Sequence, residues 1–415
     1  MYLRFLFLAL LIVGKVQATS LINRYQFSST GLLPTGVWTF GVSHGQSLGQ
    51  GSSYNSKGRN VNNENFFSKN VTYSNLLDEI KTPIEKDLAR AAFDVYGRKQ
   101  NENAGRVIND VSVDQKSNAY FIGRGLSKKS NLFIIFPIVT IKTKFRSQFV
   151  HSPSLLRLTD ELKAEGQHIE AKEILDKSQN ALREGLNDNN YNSHYPSELT
   201  TLANIHLNHR YSVVQDREIE ISADSTLIIP AGKRFDEDEF LNYKIREENF
   251  SFRQNLTGQY RVNHSFSFLP SVYYHKRFAS KGTRRVPLNS ASPLSNDIDD
   301  STKIKYGDSF GTSLQMNYVP IENYLVYIGQ SYEKKLSDKY SGNKFRQERY
   351  DYLSQESEQD LGIGYLGLTI NTIESFLKQK FIAPIDINLQ YSFTNMGSNT
   401  FNNQAIAMNL MVFYK

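Results

Sequence analysis

The chain has 415 residues, no cysteine, 24 Tyr, 26 Phe, a mean hydropathy of −0.47 and a formal charge of +6. The missing cysteines exclude disulfides, thiol nucleophiles, thiolate metal sites and a lipidated N-terminal cysteine. Acids and bases are interleaved instead of clustered, which leaves no footprint for nucleic acid.

Residues 1–18 read as a secretory signal. Arg4 precedes the apolar run from Phe5 to Val13, and Val16-Gln17-Ala18 offers a small-residue cleavage site after Ala18. A helical anchor would need about 20 apolar residues, and Gly14 and Lys15 interrupt this run well before that. Loss of Arg4 and Lys15 on cleavage lowers the formal charge from +6 to +4. The longest later apolar run, Leu132 to Val139, contains Pro137, so no helical membrane span is expected. Residues 19–34 are expected as a periplasmic or lumen segment, and 35–415 as the main domain.

That domain reads as period two. Ala203, Ile205, Leu207, His209, Tyr211 and Val213 alternate with Asn204, His206, Asn208, Arg210 and Ser212. Only a strand gives such a pattern two distinct faces. The alternation resumes from Ile219 to Ile229 against Glu220, Ser222 and Asp224, and it recurs in 250–277, 308–333 and 384–394. Strands are expected near 35–44, 87–97, 117–126, 131–146, 199–213, 218–229, 250–262, 266–277, 308–319, 324–333, 359–370, 384–394 and 404–414. Single-chain bacterial barrels take even strand numbers, so the weak segment Phe66 to Tyr73 is counted as well. The expectation is therefore an all-β fold, a transmembrane antiparallel up-and-down β-barrel of about 14 strands with 12 as the fallback.

Short links at 263–265 and 320–323 alternate with long polar ones, as periplasmic turns alternate with outer loops. Tyr211, Tyr260, Tyr318, Tyr324 and Tyr414 fall at strand ends, where a ring suits the membrane interface. The closing alternation Met408, Leu410, Val412, Tyr414 resembles the C-terminal signal read by the barrel-assembly machinery, with Lys415 following the aromatic. Pro137 cannot donate a ladder hydrogen bond, so a kink or bulge is expected there.

Residues 152–186 lose this period. Ser152-Pro153 forms a cap, Leu155, Leu158 and Leu162 follow at helical spacing, and Ala171, Ile174, Leu175, Ser178, Ala181 and Leu182 form a second stripe. An extracellular helical hairpin is expected, as a lid or as packing for neighbouring loops. Asn296 to Ser301 matches no complete calcium loop, and His206 and His209 point to opposite faces, so no metal or other cofactor is expected.

The polar faces put His206, Arg210, Glu220, Asp224, Arg253, Arg261, Asp360 and Asp386 in the lumen, either as a wet wall of mixed charge or as an interior locked by ion pairs. No histidine has Ser two residues later, which removes the His-x-Ser arrangement of outer-membrane phospholipases, and the acids at 236–239 suit a solvated loop better than a protease site. No enzyme is expected.

Gly31-Leu32-Leu33-Pro34-Thr35-Gly36, Gly123-Arg124-Gly125-Leu126-Ser127 with Leu132 to Val139, and Leu227-Ile228-Ile229-Pro230-Ala231-Gly232 carry a resemblance. The chain resembles the hydrophobic-compound transporters that include the FadL-like barrels and the barrel associated with phenol-degradation pathways. The resemblance implies a passive outer-membrane channel for small solutes, hydrophobic ones among them, in contact with outer-membrane lipid. It also implies that a strand distorted at Pro137 could serve as a sideways exit into the membrane. A structural or adhesive surface barrel, binding a partner through its long loops, is the alternative.

Overall fold

The computed structural model describes residues 32–48, 52–62, 69–74, 77, 83–169, 171–172, 174–176, 190–191, 197–233, 236–238, 247–288, 295–355 and 357–414. The expected signal peptide, and all but the last three residues of the 19–34 segment, lie outside them.

Alternation produces twelve long strands. They are β1 (Trp38–Ser47), β2 (Asn103–Ser127), β3 (Ser130–His151), β4 (Ile205–Gln215), β5 (Ile219–Ile229), β6 (Ser251–Arg261), β7 (Phe266–Arg277), β8 (Ser309–Ile321), β9 (Tyr324–Lys335), β10 (Gln359–Asn371), β11 (Ile385–Ser398) and β12 (Gln404–Tyr414). Each pairs antiparallel with its neighbour in sequence, and β1 closes the ring on β12 through the register Trp38↔Tyr414 to Ser47↔Ala405. The result is an up-and-down barrel without open edges.

The ring closes with 12 strands, the fallback count, and not 14. Two expected strands account for the difference. The segment expected as a strand at 87–97 is a helix, α1 (Pro83–Val95). Ala89, Ala91, Phe93 and Val95 alternate by chance, but alanine is the strongest helix former and Pro83 starts the first turn. Of the segment 66–73, Lys69–Thr72 is a short strand paired with Asn103–Val107 of β2, above the barrel wall; 66–68 lie outside the described residues.

The links sort by length, with 372–384 between β10 and β11 as the one longer link at the tight-turn end. β2–β3, β4–β5, β6–β7 and β8–β9 turn tightly at one end, and Asn323 (φ 74°) supplies the left-handed residue of the β8–β9 turn. Longer segments join the strands at the other end, apart from 399–403. That end, by the usual rule for such barrels, faces outward. There β2 and β3 run on past the wall as a hairpin of 25- and 22-residue strands. Its polar sequence below Ser117 hid this extension.

The helical expectation holds for its first half. Helix α2 (Pro153–Ala164) is capped by Ser152, whose Oγ accepts from the Leu155 N–H at 3.1 Å, and it buries Leu155, Leu158, Thr159 and Leu162. Helical turns at 168–169, 171–172 and 174–176 follow, while 177–189 lie outside the described residues, so the hairpin is not established as a unit. Helix α2 is tied to the loop before β2. Tyr73 stacks edge-on with Phe93 and meets the Ser154 hydroxyl at 3.1 Å, Arg98 pairs with Glu161 at 2.6 Å, and Ser154 donates to Glu102 at 2.5 Å.

The outer rows of the barrel are apolar and exposed. Phe40, Ile122, Leu256, Val272, Leu314, Ile328, Leu366, Leu389, Met408 and Val412 are all exposed. A continuous apolar belt of this size is unsuited to water and suits lipid. Aromatic residues flank it: Trp38, Tyr211, Tyr260, Phe266, Tyr318, Tyr324 and Tyr414 at the tight-turn end, Phe252, Tyr274, Phe278, Phe310 and Tyr332 at the other. From Phe266 to Tyr274 is eight residues, about 26 Å along a tilted strand.

Candidate functional site: the barrel lumen

The inward rows divide the lumen into unlike walls. Strands β1 to β3 contribute Thr39, Ser43, Ala119, Phe121, Phe133, Ile135, Val139 and Ile141, all buried. Strands β9 and β10 add Leu325, Tyr327, Ile363 and Tyr365, packed as one cluster. On one side of these strands β4 to β8 present polar and charged groups, with His206, Asn208, Arg210, Asp224, His275, Gln315 and Asn317 all buried, and on the other β11 adds buried Asp386, Asn388, Ser392 and Thr394.

The charges are arranged along the wall and not across the lumen. Arg210 and Asp224 are direct cross-strand partners, with Nε to Oδ1 at 2.7 Å and Nη2 to Oδ2 at 3.2 Å. Arg261 reaches Glu220 on the adjacent strand at 2.6 Å. The Arg253 guanidinium lies 3.8 Å from the ring centre of Tyr273, a cation–π contact, again between adjacent strands. His275 Nε2 meets Ser251 Oγ at 2.8 Å, and Glu247 lies 3.4 Å from both His275 and Arg277. Apart from Glu247, which precedes β6, each of these partners is on the next strand, so the pairs run along the wall.

Several shielded polar atoms have no protein partner: His206 Nε2, Asn208 Oδ1, Ser222 Oγ, Asn255 Oδ1 and Asn409 Oδ1 among the described residues. Buried donors and acceptors of this kind need water. They face the lumen, so its polar wall is suited to hydration.

A second device concerns the aromatic rings. A Cβ added at Gly41 would run into the Phe121 ring, at Gly123 into Phe133, at Gly311 into Tyr273, at Gly329 into Tyr365 and at Gly367 into Tyr327. Five inward rings therefore lie flat over glycines of neighbouring strands. Any side chain at those glycines would push the ring toward the barrel axis. Rings packed in this way give the wall an aromatic lining.

Of the lumen residues expected from sequence, seven stand on inward rows: His206, Arg210, Glu220, Asp224, Arg253, Arg261 and Asp386. Asp386 lies near the tight-turn end and accepts from Asn371 Nδ2 at 2.7 Å. Asp360 does not join them. It accepts from the hydroxyl of Tyr332, on the outer row, at 2.7 Å and sits at the outward rim. From Leu361 to Leu368 strand β10 is apolar, aromatic or glycine on both faces, so its parity could not be read from polarity. The apolar wall was missed for a related reason, since the expectation placed polar side chains inside. The signal available was the placement of glycines on rows facing large rings.

At Pro137 the geometry is specific. The β2–β3 register runs through Ala119↔Pro137 without a shift. On the other side, β3 pairs Ile138↔Leu202 with a short strand (Ser197–Leu202), then Ile135↔His206 with β4, so one extra residue is accommodated between them. The bulge thus lies in the neighbouring strand, around Ala203, whose N–H donates to Pro137 O at 2.8 Å.

The acids considered for metal or catalysis are engaged elsewhere. Asp297 takes Arg349 at 2.7 Å, Asp299 takes the Ser301 N–H at 2.9 Å and the Tyr350 hydroxyl, and Asp300 takes Thr283 at 3.1 Å. No group of three metal-ligating residues occurs among the described residues. Glu237 and Asp238 do not decorate a solvated loop: they pair with Arg284 and Arg285 and fasten the β5–β6 loop to the β7–β8 loop.

No family model and no curated protein matches the chain. Among solved structures, an outer membrane channel from Pseudomonas putida F1 superposes with a TM-score of 0.55 at 9% identity, over 94% of this chain and 100% of that one. The toluene transporter TbuX of Ralstonia pickettii gives 0.36 at 7% identity, over 92% and 90%. A FadL homologue from Pseudomonas aeruginosa gives 0.33 at 8%, over 92% and 90%. The first establishes the fold this chain shares, a closed barrel of the outer-membrane type.

Proposed function

We propose that the protein is a passive outer-membrane channel for small solutes, with apolar and aromatic compounds as its preferred cargo. The observation that carries this reading is the divided lumen. Aromatic and aliphatic rows on β1 to β3 and on β9 and β10, with rings packed over glycines, alternate with polar rows such as the one in which Arg210 and Asp224 pair between adjacent strands. A small apolar molecule can shed water against one wall without burying the charges of the other. Selectivity by ion sign is weak in this reading, because Arg210 and Arg261 are matched by Asp224 and Glu220. The bulge beside Pro137 breaks the ladder locally, and a sideways exit for apolar cargo belongs there in this reading.

Uptake into proteoliposomes tests the proposal. A small aromatic compound should equilibrate faster than into protein-free vesicles, and a sugar of similar size should gain less. Equal acceleration of both would leave a general pore, and acceleration of neither would favour a surface barrel that acts through its outer loops.

A further inference from the structure

Above the β7–β8 rim stands a three-stranded antiparallel sheet of Ser280–Arg285, Ile298–Lys305 and Lys339–Ser341. One face is buried: Ile304, Tyr306 and Tyr340 join Val286, Tyr350 and Leu353 in a core. The opposite face carries four exposed lysines. Lys281 lies directly across from Lys303, and Lys305 directly across from Lys339.

Side chains of directly opposed residues stand about 5 Å apart, and like charges there repel. Two such pairs adjoin, because Lys303 and Lys305 are two residues apart on the middle strand, about 7 Å. A sheet that needed only to fold would gain from an acid at either position. All four lysines line one cleft of about 1190 Å³. Its acids are largely taken: Glu248 by Arg284 and Tyr306, Asp338 by Lys335 and the Gly307 N–H, while Asp351 accepts from Gln347.

The height of the cluster identifies its partner. Exposed Phe278 and Leu336 end the apolar outer surface here. Lys281 and Lys339 follow each of them by three residues, about 10 Å along the chain. That is headgroup level, and the end with the longer loops faces the outer leaflet. We propose that the Lys281, Lys303, Lys305 and Lys339 face binds the phosphate groups of a phosphorylated glycolipid of the outer leaflet, anchoring the β7–β8 loop to the membrane surface. The two lysine pairs, one row apart, are suited to phosphates carried on a single headgroup.

The test uses the full chain in nanodiscs containing either bisphosphorylated lipid A or the same lipid with its phosphates removed, followed by detergent exchange and measurement of retained lipid. The wild type should retain the phosphorylated lipid and release the dephosphorylated one, with retention falling as salt rises. Each lysine near an anionic surface is worth about fivefold in affinity. The K303Q/K305Q variant should therefore lose roughly 25-fold, and the quadruple Lys→Gln variant more, while the quadruple Lys→Arg variant retains lipid. In phosphate-free detergent the Gln variants should melt no lower than the wild type, since their substitutions relieve repulsion. Equal retention by the quadruple Gln variant, or equal retention of dephosphorylated lipid, overturns the proposal. Displacement of the lipid by inorganic phosphate at comparable concentration overturns it as well, by making the site one for soluble anions.

Discussion

Leu389→Arg compared with Gln390→Arg separates the two faces of a single strand. Leu389 is 49% exposed on the outer row of β11, directly opposite Leu368 and Met408, which are on the outer rows of β10 and β12. Along β12 the outer row stays apolar from Ile406 to Val412. That is six residues, about 20 Å before tilt. Met408 lies roughly 7 Å from one end of this belt and 13 Å from the other, so Leu389 sits well inside the hydrocarbon. Arginine on a lipid face costs about 2–4 kcal/mol at the midplane and falls toward the interfaces. At this depth we expect about 3 kcal/mol, a shift of roughly 100-fold in the folding equilibrium. Gln390 points inward on a wall where its Oε1 accepts from Tyr327 at 3.2 Å, and arginine there can reach water. Its cost should stay near that of one hydrogen bond, about 1 kcal/mol. Urea titration of both variants folded into phospholipid vesicles gives the two values directly. Equal losses would refute the division into lipid and lumen faces, and a larger loss for Gln390→Arg would invert it.

Four further outcomes are expected. Gly329→Ala should displace the Tyr365 ring toward the axis, costing about 1–3 kcal/mol and lowering single-channel conductance; unchanged conductance would mean the ring does not border the passage. Asp224→Asn should destabilise by roughly 3 kcal/mol because it removes the carboxylate that faces the buried Arg210, and an Arg210→Met/Asp224→Leu double variant should recover most of it; a double-mutant cycle showing no coupling would remove the ion pair from the account. Pro137→Val should add the missing N–H donor toward the Ala203 region and slow uptake of an apolar solute while folding and ion conductance persist; unchanged uptake in the folded variant would end the sideways exit. The Ser154 hydroxyl holds the Glu102 carboxyl below its usual range, so the contact contributes stability above the ordinary carboxylate range and loses it as pH falls through the lowered value. Hydrogen exchange in α2 should then rise in acid, and Ser154→Ala should abolish that dependence.

The barrel was legible where one face meets lipid and the other meets polar groups. In β4 to β9, β11 and β12 period two is nearly unbroken, and strand limits and facing follow from it. It failed where that asymmetry is missing. The upper parts of β2 and β3 stand beyond the wall with no continuous apolar face. From Leu361 to Leu368 strand β10 is apolar, aromatic or glycine on both sides, which hid the outward position of Asp360. Helix α1 has alternating apolar residues by coincidence, and only its alanine content argued for a helix. The polar lumen wall was readable residue by residue, because an inward charge is conspicuous between lipid-facing neighbours. The apolar wall was not, since Phe121, Phe133 and Ile135 look the same in sequence whether they face lipid or lumen. Their rings are disclosed by the glycines opposite, a relation between strands that a single strand's pattern does not contain. The lysine pairs above the rim belong to the same class, because their opposition depends on register.

Recording of single channels in planar bilayers, with and without a small aromatic solute, separates a conducting barrel from a closed one. The account predicts discrete, weakly ion-selective conductance steps that a small aromatic compound reduces by occupying the lumen, and that Gly329→Ala diminishes. A reconstituted, correctly folded barrel that conducts nothing, and through which the aromatic solute does not pass, would contradict it.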